Sequence, residues 1–187
     1  MKKLFIIAAM FLIMDNLFAQ SYVADKGAMI FSGSASFSTS GGSLYQGTSK
    51  SRVTSESIFP SFNFFVYPNI FIGGTLDYTG SKDDATTLHT FAIGPTAGYM
   101  VGKPASIIFP YASVGVLFSG ERTKPAGAAS TSSAGTEFVA EVGAILPAYK
   151  HLGIDIGLQY QYQKFDVVSG NIIALKLGIS GLFFKEK

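Results

Sequence analysis

Along most of this chain, apolar and polar residues trade places at every step. In "LGIDIGLQYQYQ", residues 152–163, Leu152, Ile154, Ile156, Leu158, Tyr160 and Tyr162 share one parity, and Gly153, Asp155, Gly157, Gln159, Gln161 and Gln163 share the other. A strict two-residue period belongs to an extended strand with two unlike faces. The same alternation runs through 29–39, 57–67, 70–79, 90–101, 107–119, 137–147 and 171–184. Eight such segments make an even count, each near the roughly 9–11 residues that cross a bilayer as a tilted strand.

The connections alternate too. Long polar stretches occupy 40–54, 80–87, 120–135 and 164–170, and between them sit Pro68-Asn69, "GKPA" at 102–105 and "YKH" at 149–151. Long and short in turn is the signature of an up-and-down hairpin series elaborated at one end. The pattern predicts an all-β fold, an eight-stranded antiparallel up-and-down barrel. Pro95 falls inside a segment, where it removes a ladder hydrogen bond, so a bulge or kink is expected there.

Charge decides which face sees what. Within the segments the charged residues are Asp77, Glu137, Glu141, Asp155 and Lys176, and all five lie on the polar parity. That parity otherwise carries mostly Gly, Ser, Thr, Gln and Asn, without the Lys and Glu of a solvated outer surface. A membrane barrel, with its apolar face against lipid and its polar face inside, accounts for this sorting. Aromatic residues on the apolar parity form two groups. Phe37, Tyr78, Phe91, Phe118, Phe138, Tyr160 and Tyr162 lie near the long-connection end, and Phe31, Tyr99 and Phe183 near the tight-turn end. Two such girdles are expected at the two membrane interfaces.

Composition adds constraints. Of 187 residues only 14% are charged and 48% are hydrophobic, with a net charge of +2, against about a quarter charged for an ordinary globular domain. No basic run points to nucleic acid. Cysteine is absent, which excludes disulfides, thiolate metal sites and a thiol nucleophile. Lys2 and Lys3, the apolar run 4–14 and the small Ala19 read as a cleavable signal peptide, residues 1–19, followed by a barrel domain over 20–187.

With these features the chain resembles the small eight-stranded outer-membrane β-barrel family, the class of the OmpA transmembrane domain and OmpX. The likeness covers residues 28–184 and rests on signal peptide, strand count, alternating connections, girdles and the final "LKLGISGLFF". It implies location in the outer membrane, with short turns and both termini on the periplasmic side. The implied partners are outer-membrane lipid and the outer-membrane assembly machinery, which would read Phe183 or Phe184. No cofactor is expected, and no peptidoglycan-binding module is expected after the barrel.

Candidate chemistry is sparse. An eight-stranded barrel is filled by its own side chains, so no open channel is expected. Glu141, Asp155 and Lys176 fall on successive strands, which predicts a lumenal ion-pair cluster with Lys176 between the acids and Glu137 nearby. Tyr45, Lys50, Arg52, Arg122 and Lys124 are the loop residues nominated for contact with an outside ligand. The reading is a non-enzymatic scaffold that presents surface loops for envelope integrity or adhesion. Two alternatives stand beside it: a lipid A-modifying enzyme using His89, and a soluble periplasmic barrel holding an apolar ligand. His89 lacks a serine two residues on, the spacing of the deacylase motif, and His151 sits in a tight turn. No metal-ligand spacing or phosphate loop is present.

Overall fold

The structure, a computed structural model, describes residues 23–41, 53–82, 86–103, 106–125, 131–165 and 168–184. The expected signal peptide (1–19) and the contact candidates Tyr45, Lys50 and Arg52 lie outside the described residues. Eight strands run in order: β1 (Met29–Gly41), β2 (Val53–Tyr67), β3 (Ile70–Lys82), β4 (Thr86–Met100), β5 (Phe109–Pro125), β6 (Thr131–Tyr149), β7 (Leu152–Phe165) and β8 (Val168–Phe183). Each pairs antiparallel with its sequence neighbour, and β8 returns to β1, so the sheet closes into a barrel.

Parity sets the two faces. Ile154 and Ile156 are 44% exposed and Leu158 50%, while Gln159 and Gln161, one step away, are 1% exposed. The outer surface is apolar and the inner one polar, the reverse of a soluble barrel. A soluble barrel with an apolar interior ligand is incompatible with this arrangement. The chain is an integral membrane barrel.

The tight-turn end is closed by an apolar plug. Val23, Ala24 and Ala28, from the segment before β1, pack with Ile30, Phe65, Phe71, Met100, Phe109, Ile145 and Leu182. Backbone bonds tie that segment to β2 and its turn: Gly27 N to Phe65 O (2.7 Å), Phe65 N to Ala28 O (2.9 Å) and Asn69 N to Ala24 O (2.7 Å). Asn69, in the two-residue turn, takes a positive φ of 70°, a conformation that asparagine tolerates better than most residues.

Two expectations change. The strands run further than the alternation indicated. β5 and β6 pair as far as Thr123↔Thr131, and β7 and β8 as far as Phe165↔Val168, so most of 120–135 and 164–170 is ladder rather than loop. Beyond the bilayer a strand meets water on its outer side and needs no apolar parity, so the period fades while the hydrogen bonds continue. Arg122 and Lys124 are therefore positions in β5, not in a loop. Pro95 produces no bulge either. Pairing with β3 runs through Gly74↔Pro95, and pairing with β5 resumes at Thr96↔Gly115 in the register of Ile93↔Phe118. The ladder skips the proline without inserting a residue.

Candidate functional site

The interior is the richest chemical environment in the molecule. Lys176 on β8 places Nζ 2.8 Å from Glu141 Oε2 and 3.0 Å from Oε1, with both side chains nearly buried. The Phe59 ring lies 5.1 Å from the same ammonium, a cation–π contact. Asp155 joins through Tyr111, whose hydroxyl is 2.7 Å from Glu141 Oε1 and 2.9 Å from Asp155 Oδ1. The expected arrangement of Lys176 between two acids thus takes another form: Lys176 bonds Glu141, and a tyrosine links the carboxylates.

Tyr111 fits because two neighbouring strands present glycine to it. A Cβ at Gly143 would lie 2.7 Å from the Tyr111 hydroxyl and from Ile156 O, and one at Gly157 would lie 2.8 Å from Glu141 Oε1. Tyr111 lies on the polar parity of residues 107–119 but is not among the residues expected in the cluster. Its signal was an aromatic ring on an inward parity whose neighbouring strands carry glycine.

Glu137 is fully buried. It lies on β6 directly across from Gln163 of β7. Asp77 accepts from Thr79 Oγ1 (3.2 Å), two residues on, and from Gln161 Nε2 (3.0 Å), a partner far away in sequence with no local signal. Lower down, the Ser32 and Ser180 hydroxyls meet at 2.7 Å. Among the described residues, a cavity of about 30 Å³ is bordered by Thr96, Tyr111, Glu141, Gln159 and Lys176. That is room for about two water molecules, not a conduit. Among the described residues no group of His, Cys, Asp and Glu is arranged to hold a metal ion.

The outward rings are distributed as follows. Tyr78, Phe91, Phe118, Phe138, Tyr160 and Tyr162 are exposed around the long-connection end, and Tyr99 is exposed near the other. Phe37 lies on the outward parity of β1, but its side chain is outside the described residues. Phe183 is a correction: it is 4% exposed, packed edge-on against Phe31 at 5.5 Å, and Phe31 in turn leans on Phe62 at 4.7 Å. Tyr67 and Tyr149 are exposed at the tight-turn end instead, where register shifts close β2 and β6. Those shifts break the alternation that would have identified them.

The two histidines take different positions. His89 is exposed on β4, with Nδ1 3.0 Å from the Tyr78 hydroxyl and its ring stacked on the tyrosine. His151 Nδ1 lies 2.8 Å from Leu182 O, which fastens the last tight turn to β8.

The fold also appears in solved structures. The chain aligns with Neisserial surface protein A (TM-score 0.65, 18% identity) over 83% of its own length and 99% of that chain. The fold is that of the small bacterial outer-membrane barrels. OprG from Pseudomonas aeruginosa gives a TM-score of 0.57 at 11% identity, covering 90% of this chain and 99% of that one. Ail, the attachment invasion locus protein of Yersinia pestis, gives 0.54 at 15% identity, covering 83% and 99%. No protein-family model and no curated protein matches the sequence. An outer-membrane barrel of this size spans the lipid with an apolar belt on its outside, as here.

Proposed function

We propose that the protein is a non-enzymatic outer-membrane scaffold that holds a crown of paired strands and loops above the lipid for contact with an outside partner or for envelope integrity. The observation that carries this reading is the filled interior. Among the described residues, an apolar plug, a lysine–carboxylate–tyrosine network and a second polar tier around Asp77 occupy the interior, which supports a packed barrel rather than a conduit. The elaborated part of the molecule is therefore its rim. One relative by fold is named for attachment and invasion, and it was also solved with the heparin analogue sucrose octasulfate, which supports a rim that meets outside ligands.

The test pairs two measurements. Replacing 42–52 and 126–130 with Gly-Ser linkers should leave the barrel migrating as a folded species in unheated electrophoresis while cell-surface binding or envelope resistance falls. A rim replacement that alters neither property would count against the scaffold. Conductance of pore size in planar bilayers would replace it with a channel.

A further inference from the structure

The direction of backbone groups along the ladder singles out one hairpin. Phe65 of β2 donates its N–H to Ala28 O and accepts from Gly27 N, so its backbone groups face the β1 side. Successive strand residues turn these groups to alternate neighbours, so Pro60, of the other parity, turns its nitrogen toward β3. Val101, just past β4, donates its N–H to Pro110 O of β5, and Pro95, of the same parity, also turns its nitrogen toward β5. A proline nitrogen has no proton to give. The register shows the result. Pairing of β2 with β3 steps from Ser61↔Thr75 to Ile58↔Tyr78, omitting the rung between Pro60 and Leu76. Pairing of β4 with β5 steps from Thr96↔Gly115 to Ile93↔Phe118, omitting the rung between Pro95 and Val116. Among the described residues the other seams pair without such a gap. The seam inside the hairpin, β3–β4, runs unbroken from Ile70↔Tyr99 to Lys82↔Thr87.

The two gaps therefore lie on the two flanks of the β3–β4 hairpin. Ile58, Ile93 and Val116 beside them are exposed in the apolar belt, where lipid offers no water to replace a lost donor. The carbonyls of Leu76 and Val116 are left without their ladder partners. Side chains do little to bridge the second gap, because an open groove lies over it, bordered by Phe62, Ile72, Pro95, Ala97, Val116 and Phe138. On the outside of the β7–β8 seam, by contrast, large aliphatic residues stand opposite one another, Ile156 with Leu177 and Leu158 with Leu175. A folded chain opens first where bonds and packing are both thinnest. We propose that the β3–β4 hairpin is a separately moving panel of the barrel wall, which parts from β2 and β5 at the proline rungs while staying zipped to itself. Its last described rung, Lys82↔Thr87, moves with it, so the motion carries to the rim whatever the rim binds.

The test follows backbone amide hydrogen exchange by NMR in the whole folded barrel in micelles. Amides that cross the two seams beside the gaps, Tyr78 toward β2 and Ile93 and Phe118 between β4 and β5, should exchange about tenfold or more faster than Gly157 and Lys176 of the β7–β8 seam. Asp77 and Ala92, which pair inside the hairpin, should stay as protected as the β7–β8 amides. Pro60→Ala with Pro95→Ala supplies both missing N–H groups and should slow the seam amides by a similar factor. Where the double variant does not fold, the single variants decide, each slowing exchange at its own seam. Seam amides as protected as Gly157 and Lys176 in the unaltered barrel would overturn the panel. So would Asp77 and Ala92 exchanging as fast as the seams, which means that the hairpin unzips rather than moves as one piece. Unchanged seam exchange in folded proline variants would overturn it as well.

Discussion

At the scale of the residue, the interior is a problem of burying charge. Lys176 and Glu141 lie almost out of water, and removing one leaves the other as an isolated ion. Lys176→Met should therefore lower stability by about 3–5 kcal/mol, read as the urea midpoint of the folded barrel in micelles or vesicles. Adding Glu141→Leu to it should recover most of that loss, because a well-packed apolar pair carries no desolvation cost. A double variant as unstable as the single one would show that packing, not charge, is at stake. Tyr111→Phe removes a hydroxyl shared between Glu141 and Asp155 and should cost about 1.5–3 kcal/mol by the same measurement. Of this group the sequence shows the charged members plainly, since a charge on an inward parity stands out among Ser and Gly. It does not show which acid Lys176 selects, because a barrel's interior contacts depend on how far each strand is staggered.

At the scale of the element, alternation specifies the strands and glycine specifies what fits between them. Gly143 sits where a methyl group would meet both the Tyr111 ring and a backbone oxygen. Gly143→Ala should then destabilise by about 1–3 kcal/mol, and a Gly143→Ala/Tyr111→Leu double variant should lose less than the two single changes combined. Additive losses would mean that the backbone oxygen of Ile156 sets the limit alone. The strand centres were legible because lipid on one side and a packed lumen on the other impose a period of two. The strand ends were not, because above the membrane both sides are wet and a Thr- and Ser-bearing ladder has no contrast to display. The plug formed by Val23, Ala24 and Ala28 was equally hidden: three small apolar residues before a strand carry no period at all.

At the scale of the whole molecule, the belt of exposed Ile, Leu, Val and aromatic residues makes sense only with hydrocarbon around it. Leu158→Arg places a charge in that belt and should cost about 2–4 kcal/mol in refolding into vesicles, whereas Thr136→Arg, on the outward parity toward the rim, should cost less than about 1. Equal penalties at the two positions would mean that Leu158 does not face the hydrocarbon.

The upward extension of β5 and β6 has its own consequence for recognition. Their hydrogen-bonded pairing to Thr123↔Thr131 makes that part of the crown a stiff rib rather than a slack tether. A partner that gripped it would freeze few torsions in doing so, so little conformational entropy would be lost on that side of the complex. Selectivity there would come from the fixed spacing of side chains along a rigid edge.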